Sequence, residues 1–132
     1  MSEELTGKTI LLVDDDQDIL AAIKASLADT GALLVTASDG DTAVAKVGSE
    51  SPDLVVLDMM LPKRSGFLVM ERLKQTRSAD QMPRVIMITG NEGTRHRVYA
   101  ESLGVDLYFK KPFRMEKLVG GIKDLLAADQ DQ

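Results

Sequence analysis

Five polar residues stand where chemistry could be done, and each closes or follows a short apolar run. Asp14 and Asp15 follow Thr9-Ile10-Leu11-Leu12-Val13, Asp58 ends Leu54-Val55-Val56-Leu57-Asp58, Thr89 follows Arg84-Val85-Ile86-Met87-Ile88, and Lys111 lies just beyond Val105 to Phe109. Carboxylates brought together repel one another and raise each other's pKa unless positive charge intervenes. Lys111 supplies one charge and a divalent cation would supply the rest. Oxygen ligands with no His or Cys nearby favour Mg²⁺, which usually takes one or two carboxylates, several waters and a phosphoryl oxygen. Mg²⁺, Lys111 and the Thr89 hydroxyl would then clamp an anion carried on Asp58. That arrangement suits phosphoryl transfer to a carboxylate, where positioning and charge neutralisation do most of the catalysis. Taken singly, each residue has a plainer explanation: aspartates cap helices, threonine suits turns, and lysine is ordinarily solvated. Only their joint placement argues for a site.

The elements that would place them together are legible in the apolar pattern. Unbroken runs of four or five branched residues read as strands buried on both faces, as in a parallel sheet covered by helices. Strands are expected at 9–13, 33–37, 54–58, 84–88 and 105–109, the second nearer an edge and the fifth alternating like a half-exposed edge strand. Between them, Ile19, Leu20, Ile23 and Leu27 share a helical face, with Asp16 as N-cap and Gly31 as a stop. Thr42 to Val47 reads as a short helix closed at Gly48, and Phe67 to Gln75 as a third through Phe67, Met70 and Leu73. A fourth, from about Glu92 to Leu103, has few apolar residues, mainly Val98, Tyr99 and Leu103, and is expected to pack least firmly. The last turns Leu118, Ile122, Leu125 and Leu126 inward, and 127–132 reads as a frayed tail. Five strands alternating with five helices imply a doubly wound α/β domain with right-handed crossovers. Ligands of such sheets bind at the carboxyl ends of the strands, where all five polar residues fall.

Bulk properties narrow the function. A chain of 132 residues is one domain, read as 1–132 with a core of about 8–126 between short polar tails. Sixteen basic and 21 acidic side chains leave a formal charge of −5, which disfavours a nucleic-acid backbone or an anionic membrane as main partner. Cysteine is absent, so there is no disulfide framework or thiolate chemistry. No apolar run approaches the roughly 18 residues of a membrane span. These features lead to the expectation of a cytoplasmic protein.

The same residues carry a family resemblance. Leu12-Val13-Asp14-Asp15, Asp53 to Pro62, Ile88-Thr89-Gly90 and Lys111-Pro112-Phe113 together resemble the signature of the receiver domain of two-component response regulators, over nearly the whole chain. The resemblance implies a flavodoxin-like fold with strand order 2-1-3-4-5. It implies Asp58 as phosphoacceptor, Asp15 as a direct Mg²⁺ ligand, Asp14 acting mainly through water, and the Met60 carbonyl as third protein ligand. Thr89 and Lys111 would hold the phosphoryl oxygens, the Lys111-Pro112 bond would be cis, and Tyr108 would be the switch aromatic. Met60 and Asn91 occupy the positions that tune the lifetime of the phospho-form. Because Met60 is apolar, no unusually fast self-hydrolysis is expected. Arg64-Ser65 replaces the usual acidic residue before the loop glycine, which predicts a more basic kinase-facing loop.

The implied partners are a sensor histidine kinase or histidine phosphotransfer protein and a downstream protein target. No direct nucleic-acid or membrane contact is expected, and the oligomeric state is monomer or weak dimer. The responding surface would comprise the fourth helix, fifth strand and fifth helix, bearing Arg95, His96, Arg97, Lys110 and Lys117. With no output domain after Leu126, the chain reads either as a stand-alone regulator or as a piece of something longer. Three other readings fit less well. Asp14-x-Asp16-x-Asp18 lacks the glycine and glutamate of a calcium loop, having Ile19 and Ala25 there. A haloacid dehalogenase-type phosphatase would use Asp14 as nucleophile and Asp16 as acid, but leaves Asp58 unexplained. A degenerate receiver that only binds partners is disfavoured because all five key positions are filled.

Overall fold

The computed structural model describes residues 4–90 and 94–130. Its elements alternate in the order β1 (Thr9–Val13), α1 (Gln17–Leu27), β2 (Leu33–Ala37), α2 (Gly40–Glu50), β3 (Leu54–Asp58), α3 (Gly66–Thr76), β4 (Arg84–Thr89), α4 (Thr94–Ser102), β5 (Leu107–Lys110) and α5 (Met115–Gln130). The strands form one parallel sheet in the order β2-β1-β3-β4-β5. This is the flavodoxin-like arrangement, and β2 is an edge strand as its more polar end predicted.

Side chains of a strand point alternately to opposite faces, so each central strand feeds two cores. Leu11, Val13, Val55, Leu57, Val85 and Met87 pack with Ala43 and Val47 of α2, Val69, Met70 and Leu73 of α3, and Ala100 of α4. Ile10, Leu12, Leu54, Val56, Ile86 and Ile88 pack on the other face with Leu20, Ile23 and Leu27 of α1 and Leu118, Ile122 and Leu126 of α5. Burial of β1, β3 and β4 on both faces is why their sequences run apolar without alternation. Among the described residues, no helix is long and apolar enough to cross a membrane.

Several boundaries differ from the sequence expectation for local reasons. α1 ends at Leu27, short of Gly31, because Thr30 turns the chain by donating its hydroxyl to the Leu27 carbonyl. α2 runs from Gly40 through Gly48 to Glu50; Asp39 caps it from outside and Ser51 ends it in a left-handed conformation at φ 47°. β5 begins only at Leu107, since Val105 N–H donates to the Ala100 carbonyl and so belongs to the turn leaving α4. α5 continues to Gln130 through most of the expected tail. At the other end Leu5, assigned to a polar tail, is buried against the α1/α5 core. On α4, Val98 and Tyr99 are exposed, and the core receives Ala100 and, just after the helix, Leu103.

Candidate functional site

Parallel pairing in register brings the strand ends to one edge. Val13 lies beside Ala37 and Leu57, Asp58 beside Ile88, and Thr89 beside Lys110. Asp14, Asp15, Asp58, Thr89 and Lys111 are therefore gathered on a single rim. Asp14 and Asp58 are each 3% exposed and Thr89 is fully buried, while Asp15 faces solvent.

Within this rim, one carboxylate oxygen from each of Asp14, Asp15 and Asp58 lies within 4.8 Å of the others. Lys111 Nζ stands 3.4 Å from Oδ2 of both Asp14 and Asp58, between the two buried carboxylates. Their remaining oxygens are held by main-chain amides: Asp14 Oδ1 accepts from Asp16 N–H at 2.9 Å, and Asp58 Oδ1 from Met60 N–H at 3.1 Å. The Thr89 hydroxyl donates to Met59 Sδ at 3.6 Å, and the Thr89 carbonyl accepts from Lys111 N–H at 2.6 Å. The Lys111-Pro112 bond is cis. A glycine is required where the loop after β3 folds back: a Cβ on Gly66 would stand 2.6 Å from the Asp58 carbonyl oxygen, and Gly66 N–H donates to the Met59 carbonyl at 2.8 Å.

These surroundings set the electrostatics. Burial pushes Asp58 up to about 6; the Met60 amide pulls it back, the Asp14 charge adds to the rise, and Lys111 opposes it. Burial draws the Lys111 ammonium down, but the Asp58 and Asp14 carboxylates outweigh it and hold the group above its ordinary value. One ammonium thus leaves negative charge uncompensated at the rim. Three oxygen donors, two buried and one solvated, without nitrogen or sulfur among them, suit a hard cation that keeps much of its water, as Mg²⁺ does.

Other expected positions are distributed differently. Asp16 caps α1, its Oδ1 accepting from Asp18 and Ile19 N–H. The Met60 side chain is largely exposed, and Asn91 lies outside the described residues. Arg64 does not make the loop after β3 freely basic: its Nε is 3.0 Å from Asp41 Oδ1 on α2, and Lys63 Nζ is 4.0 Å from Asp39. The Tyr108 hydroxyl is enclosed without a hydrogen-bond partner among the described residues, and the Arg97 guanidinium sits 6.0 Å from its ring centroid. His96 stacks on Phe67 of α3 with ring centroids 5.8 Å apart. The amides of Asp16 and Met60 were not foreseen from the sequence. An aspartate two residues before a turn amide is the available signal, because Asx turns use that spacing.

The chain matches the response regulator receiver domain family over residues 10–123. It is 37% identical over 120 residues to the alkaline phosphatase synthesis transcriptional regulatory protein PhoP of Bacillus subtilis, covering 91% of this chain and 49% of that protein. It is 40% identical over 114 residues to the transcriptional regulatory protein DltR of Streptococcus agalactiae, covering 86% and 50% respectively. The chain spans about half the length of the curated relatives it matches. The expectation of no direct nucleic-acid contact finds no support in these relatives, which are named as transcriptional regulators. A CheY-like receiver domain protein from Methanospirillum hungatei superimposes with a TM-score of 0.85 at 30% identity, covering 94% of this chain and 97% of that one. The BeF3-activated DrrB receiver domain superimposes at 0.79 with 31% identity, covering 91% and 97%. The chain belongs to the response regulator receiver domain family of two-component systems.

Proposed function

We propose that the chain is a phosphorylation switch in which Asp58 accepts a phosphoryl group, in the presence of Mg²⁺, from the phosphohistidine of a sensor kinase or a histidine phosphotransfer protein. The observation that carries this reading is the convergence of Asp14, Asp15 and Asp58 around one point with Lys111 between the two buried carboxylates. Asp14 and Asp15, with the Met60 carbonyl, are the residues that would hold Mg²⁺ beside Asp58. When bound, the ion neutralises charge on the transferring group.

Transfer forms a P–O bond to Asp58 as the P–N bond to the donor imidazole breaks. The Met60 amide holds one Asp58 oxygen, so the attacking lone pair belongs to a carboxylate already oriented. Lys111 sits within reach of a second oxygen and is free to follow the phosphoryl group, and Thr89 closes the pocket from β4. Phosphorylation replaces about one negative charge by about two. One unit charge acting over roughly 4 Å at an effective dielectric near 20 is worth about 4 kcal/mol. A two-state equilibrium moves from 1:99 to 99:1 for about 5.5 kcal/mol, so one phosphoryl group carries most of a switch. The response then falls to Thr89, α4, β5 and α5, which meet a downstream partner.

The test is labelling by a small phosphodonor such as acetyl phosphate with MgCl₂, followed by mass spectrometry. The wild type should gain one acid-stable, base-labile phosphoryl group and Asp58→Asn none. Labelling lost in Asp14→Asn but retained in Asp58→Asn would instead favour the phosphatase-like reading.

A further inference from the structure

We propose that the amino terminus of α2 anchors the loop after β3, with Gly40 and the Arg64–Asp41 pair acting as positioning residues for the Asp58 site. The inference rests on the reading of that site as a Mg²⁺-dependent phosphoacceptor. The loop bears on the site directly, because the Met60 amide holds Asp58 Oδ1. Its near end is pinned beneath Gly66. Its far end crosses to a different part of the molecule, where Gly40 N–H donates to the Pro62 carbonyl at 3.2 Å.

The crossing is close. A Cβ on Gly40 would stand 1.9 Å from the Arg64 carbonyl oxygen and 2.7 Å from its carbonyl carbon, so any side chain there displaces backbone. On the same turn of α2, Asp41 Oδ1 accepts from Arg64 Nε at 3.0 Å. The anchor itself is stiff: Asp39 caps the helix through Thr42 N–H at 2.8 Å and Thr42 Oγ1 at 3.1 Å. Between these ties Lys63 is held at φ 68°, a left-handed conformation that lysine adopts only when its neighbours impose it. The loop is thus drawn tight between β3 and α2, and the orientation of Asp58 is referred to a helix that contributes no residue to the rim. Outer residues that orient metal ligands commonly alter affinity about 10- to 100-fold when changed.

The test follows Mg²⁺ binding to the intact chain through the amide resonances of Asp58 and Met60, alongside metal-free denaturation midpoints. Gly40→Ala should weaken Mg²⁺ binding about tenfold or more. Arg64→Ala should weaken it only about three- to fivefold, since the pair is partly exposed, with its midpoint little changed. The exchanged pair Asp41→Arg with Arg64→Asp should return to within about twofold of wild type. If Gly40→Ala does not fold, Arg64→Ala and the exchanged pair decide the matter. Folded variants that bind Mg²⁺ as the wild type does would overturn the anchor and leave the phosphoacceptor reading standing. A wild type that neither binds Mg²⁺ nor takes up a phosphoryl group would overturn both.

Discussion

In its proposed role Asp58 is subject to opposing demands, because an acceptor carboxylate must be ionised to attack, yet Asp58 is 3% exposed at the end of a buried strand. The consequence is a pKa of about 6 against an ordinary 3.8, with burial the leading cause. The folded state therefore holds this proton more tightly than the unfolded chain. Stability is unaffected below about pH 4, where both states are protonated, and falls as pH rises towards and through 6. That difference between the two states corresponds to roughly 3 kcal/mol at about pH 7.5. In metal-free buffer, Asp58→Asn should exceed the wild type in urea stability by about 2–3 kcal/mol at about pH 7.5. The gap should close as pH falls to about 4; a gap independent of pH would contradict this origin. Adding MgCl₂ at about pH 7.5 should stabilise the wild type and leave Asp58→Asn nearly unchanged.

Among the elements, α4 differs from its neighbours in how little holds it. α1 buries Leu20, Ile23 and Leu27 and α3 buries Val69, Met70 and Leu73, whereas α4 buries Ala100 and relies on Leu103 just beyond its end. Its ties to α3 are lateral: His96 and Tyr99 against Phe67, and the Tyr99 hydroxyl to Glu71. Weak packing against the sheet is expected to lower the free energy of local opening. Amide hydrogen exchange should therefore be faster in the interior of α4 than in α1 or α3, and equal protection across the three helices would remove α4 as the easily displaced element. The low apolar content of 92–103 made this weakness legible, but not the exposure of Val98 and Tyr99. Small Ala100 takes the core position, a rotation that the large apolar residues alone do not reveal.

For the molecule as a whole, the proposal is that a charge added at the rim is felt on the surface made by α4, β5 and α5. Thr89 is the connection, buried at the end of β4 and tied through its carbonyl to Lys111. Tyr108 lies on β5 with its hydroxyl enclosed and Arg97 over its ring, so under this proposal it responds through a change of contacts. Beryllofluoride with Mg²⁺ should shift amide resonances around Asp58, along α4 and at Tyr108 in the wild type. In Thr89→Ala the shifts at Asp58 should persist while those in α4 and at Tyr108 shrink; an unchanged pattern would show that Thr89 does not couple the two regions.

The apolar runs were enough to identify five strands, their alternation with helices, and the carboxylate, hydroxyl and ammonium at their ends. Those features are written in consecutive residues, and a parallel sheet aligns its strand ends whatever the details of packing. Contacts between residues distant in the chain were not legible. Arg64 reads as a loop cation until its guanidinium meets Asp41, Gly40 as an ordinary turn glycine until Arg64 crosses it, and Leu5 as part of a tail until it reaches the α1/α5 core. Each depends on the angle at which one element passes another, and that angle is set by side-chain packing summed over the whole sheet rather than by any local pattern.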